Sequence, residues 1–225
     1  MTSGLKTVLT LLLVLTMTAS AAAQAAGNWQ RIHGQVQTVQ GTQLTFKADD
    51  GRVLHVDIAG VSQPVQHALA PNLGATLVGF PGERPNRFSA RYIIQDNAGS
   101  AATAPAASLA DRVVSLIPQF LGSQEFQELR AGLQNNRAAA MVFVTQLYQG
   151  FLERAPNIQE RNDWAAFLVQ TGDLRSAAEY FVKSPEYTQK NKNEQQAIRD
   201  LYEGLFGRTA SDDEVRTWQQ RLAQK

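Results

Sequence analysis

Leu147-Tyr148-Gln149-Gly150-Phe151-Leu152-Glu153-Arg154 returns, 54 residues later, as Leu201-Tyr202-Glu203-Gly204-Leu205-Phe206-Gly207-Arg208. The same offset carries Trp164 onto Trp218 and Leu168 onto Leu222. Self-similarity at a fixed period marks a repeated structural unit. In the first copy Val144, Leu147, Tyr148, Phe151 and Leu152 share one helical face; Ile198, Leu201, Tyr202, Leu205 and Phe206 share the corresponding face in the second. Asn157 and Ser211 are placed to cap the helices that follow, and Ser211 with Glu214 spells a capping box. Aromatics at helical spacing are usually core, so Tyr148, Trp164, Tyr202 and Trp218 read as packing residues. Arg154 and Arg208 fall in last turns, where a guanidinium complements the helix dipole. Gly150 and Gly204 complete the repeated pattern.

A second thread runs through the same half. Phe120-Leu121-Gly122-Ser123-Gln124-Glu125-Phe126 resembles Phe181-Val182-Lys183-Ser184-Pro185-Glu186-Tyr187. Each serine can cap a helix whose first turn holds a glutamate, and Pro185 suits the first helical position. In sequence order the units are about 120–170 and 181–224. Ser184-Pro185-Glu186-Tyr187, Leu147-Tyr148, Arg154-Ala155-Pro156, Trp164, Gly207-Arg208 and Trp218 together resemble the DUF4214 family of bacterial exported and cell-surface proteins. Glu153, Asn157, Glu160 and Ala210 depart from its usual pattern. The resemblance covers about residues 120–222; it implies a helical fold and an envelope location, and carries no activity with it. The motif also looks like that of phycobilisome linker domains, which are scaffolds; this is an analogy of fold.

The start of the chain reads as an export signal over residues 1–25. Lys6 is its charged region, Thr7 to Met17 its apolar run, and Ala23-Gln24-Ala25 a small-residue cleavage site. Retention as an uncleaved anchor is the alternative. Cysteine is absent, which excludes a lipid-modified terminus, and about 200 mature residues can bury a core without disulfides. With Lys6 removed, 21 Lys and Arg become 20, against 20 Asp and Glu. A near-neutral chain offers no electrostatic footprint for nucleic acid or an anionic membrane.

Residues 28–96 read as five short strands. Gly34 to Gln40 and Gln43 to Ala48 alternate, Asp49-Asp50-Gly51 is a hairpin turn, and Val53 to Ile58 alternates with Leu54, Val56 and Ile58 on one face. A helical turn over Gln63 to Leu69 separates them from strands over Ala75 to Phe80 and Phe88 to Gln95. This order looks like an OB-type barrel. Residues 97–107, rich in Ala, Gly and Ser, form a linker by composition. The expectation is therefore an α+β chain: a five-stranded OB-like β-barrel, then an all-α helical bundle over residues 108–225 with an internal repeat.

The residues that suggest a site also fit turn, cap or surface roles. His33, His55 and His67 lack metal-ligand spacing, and His33 and His55 are expected to face outward. Asp49-Asp50 belongs to a turn, and Asp212-Asp213-Glu214 to a helix's first turn, without requiring a cation. No nucleotide, hydrolase or metalloprotease motif occurs, and no catalytic residue, cofactor or metal is assigned. The sharpest ligand face is Arg84, Arg87, Phe88, Arg91 and Tyr92, where basic residues interleave with aromatics. Against it, the barrel segment holds six basic and five acidic residues. The reading is a non-enzymatic binding or scaffold protein of the periplasm or cell surface, its partner another envelope protein or a surface polymer, with nucleic acid disfavoured. The alternative is a barrel that binds an oligosaccharide or oligonucleotide.

Overall fold

The computed structural model describes residues 28–96, 108–133 and 135–224. The export signal and the linker expected at 1–25 and 97–107 lie outside these residues. Five strands, β1 (Gln30–Gln40), β2 (Gln43–Ala48), β3 (Val53–Asp57), β4 (Gly74–Pro81) and β5 (Arg87–Gln95), close into a barrel in the order β1-β2-β3-β5-β4. All neighbours are antiparallel except β3 and β5, which pair in parallel over His55 to Asp57. Helix α1 (Gln63–His67) sits between β3 and β4, as the OB-like reading requires. The interior is filled by alternate residues, among them Val36, Phe46, Val56, Ile58, Leu77 and Phe88, all buried.

Two irregularities break that alternation. The register of β1 against β2 shifts between Val36 and Thr38, and that of β4 against β5 shifts between Val78 and Gly79. Across the second shift Val78 faces Tyr92 and Gly79 faces Ala90, so Arg91 is the extra residue of a bulge. Phe88 and Ala90 point into the barrel before it, and Ile93 does after it. Tyr92 and Ile94 are thereby turned outward, where with Trp29 and Val78 they join the core of the helical half. β4 is buried on both faces over Ala75 to Gly79 because Ala75 and Leu77 face the barrel core and Val78 faces the helical core.

The helical half contains α2 (Leu109–Val114), α3 (Ile117–Leu121), α4 (Gln124–Ala131), α5 (Arg137–Leu147), α6 (Ile158–Thr171), α7 (Leu174–Lys183), α8 (Pro185–Thr188), α9 (Glu194–Phe206) and α10 (Asp212–Ala223). Polar caps begin these elements, except α3, which starts after Leu116 with Pro118 in its first turn. Asn157 with Glu160, Asn193 with Gln196 and Ser211 with Glu214 each form a reciprocal capping box. α5 runs into a π-helical turn, Tyr148–Leu152, closed by Glu153 in the left-handed conformation at φ 58°. Its repeat counterpart, α9, stays α-helical and is closed by Gly207 at φ 68°. Trp164, Phe181, Leu147, Leu201 and Ile198 lie in the shared core with no more than trace exposure.

Candidate functional site

The two repeat copies cross at their glycines. A methyl built on Gly150 would lie 2.3 Å from the backbone nitrogen of Gly204, and one on Gly204 would lie 2.3 Å from the Phe151 ring. Only hydrogen at both positions lets the backbones approach this closely.

Each arginine of the repeat closes a matching clamp. Arg154 places its guanidinium 4.8 Å from the centre of the Tyr148 ring. Its Nε donates to Glu186 Oε1 at 2.6 Å, and its Nη1 and Nη2 donate to the two oxygens of Glu160, each at 2.9 Å. Arg208 lies 4.7 Å from the Tyr202 ring centre. It donates to Glu125 at 2.6 Å through Nε and to Glu214 at 3.1 and 2.7 Å through Nη1 and Nη2. The planar fork of arginine fits such two-oxygen acceptance, which lysine cannot reproduce. The dominant partners are thus carboxylates, where the sequence suggested free helix carbonyls; the carbonyl contacts are limited to Ala155 and Thr209. Hydrogen bonds from Arg208 hold the Glu214 carboxyl down to about 2 and lower that of Glu125. At Glu160 burial pushes upward, but Arg154 and the Asn157 backbone outweigh it and the carboxyl titrates below its ordinary value.

The clamps join segments in an order the chain does not follow. Glu125, from the first Phe-x-x-Ser-x-Glu string, meets Arg208 of the second copy; Glu186, from the second string, meets Arg154 of the first. The rings agree: Phe120 stacks on Trp218 with centres 4.2 Å apart and meets Tyr202 at 5.2 Å, while Phe181 meets Tyr148 at 4.8 Å. Trp218 Nε1 donates to the Tyr202 hydroxyl at 2.9 Å. The spatial half-units are therefore 147–187 and 201–222 joined to 117–126. The glutamates at 125, 160, 186 and 214 are the clamp residues; in the sequence Glu125, Glu186 and Glu214 read as first-turn or capping acids, and Glu160 only as a departure from the family pattern. Arg-x5-Glu, occurring at both 154/160 and 208/214, was the signal for two of them.

The ligand face expected on the barrel is not assembled. Phe88 is buried among the barrel core residues. Tyr92 stacks on Trp164 with centres 4.0 Å apart, meets Tyr180 at 5.1 Å and is 5% exposed. Arg91 lies over Phe80 and 4.0 Å from Asp163 of α6. Arg84 and Arg87 remain exposed, with His55 beside Arg87 in register. The reason is the bulge at Arg91, which puts Phe88 and Tyr92 on opposite faces despite their even spacing.

The histidines differ among themselves. His55 and His67 are exposed. His33 is exposed yet bridges two acids, Nδ1 at 2.5 Å from Asp49 and Nε2 at 2.8 Å from Asp96; hydrogen bonds to Asp49 and then Asp96 raise its pKa. The two acids sit on opposite ring nitrogens and so do not converge on one point. Among the described residues no group of three or more His, Asp and Glu side chains is arranged to hold a metal ion, and no helix is long and apolar enough to cross a membrane. Asp50 is taken up by Arg52 within the hairpin turn.

Neither a protein-family model nor any curated protein matches this chain.

Proposed function

We propose that this chain is an exported, non-enzymatic binding or scaffold protein of a bacterial periplasm or cell surface, as its resemblance to the DUF4214 family implies. The observation that carries the reading is where the repeat's reactive-looking residues are spent. Arg154 and Arg208 are each held between two glutamates in the two clamps, and the Tyr148 and Tyr202 rings lie against their guanidinium groups. What these residues build is a set of ties between the helices of the C-terminal half. The partner is another envelope protein or a surface polymer.

A second reading, an oligosaccharide- or oligonucleotide-binding barrel, keeps exposed Arg84 and Arg87 for anionic or hydroxyl-rich contacts. It has lost Phe88 and Tyr92 as stacking platforms.

Affinity capture from envelope extracts with the full mature chain, beside an Arg84→Glu/Arg87→Glu variant, separates the two. The scaffold reading expects a protein or surface polymer retained equally by both. A soluble glycan or nucleic acid retained by the parent alone moves the assignment to the barrel. Export is tested by N-terminal sequencing of the chain from the envelope fraction. A chain found only in the cytoplasm with residues 1–25 intact removes the location.

A further inference from the structure

The crossing of α5 and its π-helical turn with α9 at Gly150 and Gly204 leaves two related grooves on its outer side, exchanged by the 54-residue offset. One is plugged by the chain itself. α8 stops at Thr188, Asn191 takes a left-handed φ of 49°, and the turn lays Lys192 into the groove. Its Nζ lies 2.6 Å from Glu153 and 3.0 Å from Asp200, and Lys190 reaches Glu153 at 3.1 Å.

The other groove has no such plug among the described residues. In the corresponding stretch α4 continues as helix from Gln124 to Ala131, so no turn folds back. What remains is an open cavity of about 480 Å³, lined by Val142, Gln146, Gln149, Glu203, Gly207 and Thr209 among others. Gln146 stands in the place of Asp200 and Gly207 in that of Glu153. The acid comes instead from Glu203, which is exposed and, among the described residues, makes no ion pair and accepts no side-chain hydrogen bond. Arg208, on the groove wall, is already neutralised by Glu125 and Glu214, so the groove is net negative. Val142 adds an apolar rim, 68% exposed.

We infer that this groove is the docking site for a lysine-bearing turn of a partner protein, its ammonium meeting Glu203 where Lys192 meets Glu153 and Asp200 in the related groove. The occupant is matched by charge and by the precedent of a lysine-bearing turn laid on the related groove. A second copy of this chain cannot supply the same turn, because its Lys192 is already committed and 12% exposed. The inference rests on the scaffold reading and names the surface that such a protein would use.

The test uses the full mature chain carrying a photo-reactive phenylalanine analogue at position 142, irradiated in its own host, with adducts sequenced by mass spectrometry. A second probe at position 158, also an exposed apolar site, is the control. The expected result is a protein adduct at 142 whose linked peptide contains a lysine. Its yield should fall about tenfold in Glu203→Lys, and likewise in Gln149→Arg, which adds charge without touching Glu203. Both substituted positions are exposed, and unchanged melting temperatures show that the loss is not unfolding. An adduct to a second copy, a linked peptide without lysine, yield indifferent to Glu203→Lys, or no adduct at 142 overturns the inference. A partner captured only at 158 removes this groove while leaving the scaffold reading standing; capture at neither site, with a glycan or nucleic acid held by the barrel, removes both.

Discussion

At Gly150 a single added methyl has nowhere to go, because its neighbours are the nitrogen and Cα of Gly204, at 2.3 and 2.6 Å. The methyl on Gly204 meets a ring instead, and the Phe151 side chain can yield where backbone cannot. Gly150→Ala should therefore destabilise by about 3 kcal/mol and Gly204→Ala by about 1 to 2 kcal/mol, read from urea denaturation midpoints. Equal and small losses would show that the crossing is looser than its geometry. Glu153 poses the opposite problem. It occupies a left-handed position where its counterpart is Gly207, and it holds Lys190 and Lys192. Glu153→Ala loses the ion pairs and keeps the strain; Glu153→Gly loses the pairs and relieves it. The glycine variant should be the more stable of the two by about 1 kcal/mol. Glu214 supplies a pH signature. Its carboxyl titrates at about 2 when folded, below its ordinary 4.5, so the stability it contributes is present above 4.5 and is lost as pH falls toward 2. Arg208→Gln should flatten the acid limb of a melting-temperature profile across that window. An unchanged limb would mean that the clamp carries no charge coupling.

Among the elements, the repeated strings were readable in the sequence, but their pairing was not. Phe-x-x-Ser-x-Glu precedes Leu-Tyr-x-Gly-x-x-x-Arg along the chain, which suggests that each string serves the copy it precedes. In the folded chain α4 serves α9, across the 83 residues between Glu125 and Arg208. A double-mutant cycle on Glu125→Gln and Arg208→Gln should give a coupling of about 0.5–1 kcal/mol, modest because the pair is partly exposed. The same cycle on Glu125 and Arg154 should give none. Coupling in the second cycle and not the first would restore the sequential units. Helix starts were readable because a capping serine or asparagine acts on the backbone three residues away. Partner choice between helices depends on how the whole bundle closes, which leaves no local mark.

Across the whole molecule, the barrel and the helices share one apolar body through Trp29, Val78, Tyr92 and Ile94. Trp29 meets Phe167 at 5.5 Å and Tyr92 stacks on Trp164. Arg31 reaches across to Asp173 and Glu179 at 3.7 and 3.8 Å. The chain should unfold in one transition, followed together by tryptophan fluorescence and far-ultraviolet dichroism. Tyr92→Ala should cost about 3 kcal/mol and split that transition into two, because a barrel strand carries the ring and the helical core packs around it. A single unshifted transition in the variant would show that the interface contributes little. Local periodicity was enough to establish five strands, an intervening helical turn, a duplicated helical unit and the polar caps that begin its helices, because each of these is encoded within a few residues. Only the assembled chain decided that Tyr92 leaves the barrel, that the first serine–glutamate string joins the last helices, and that one groove is filled while, among the described residues, its twin is open. One bulged residue reverses every side chain after it, and contacts across 83 residues are settled by the fit of whole surfaces.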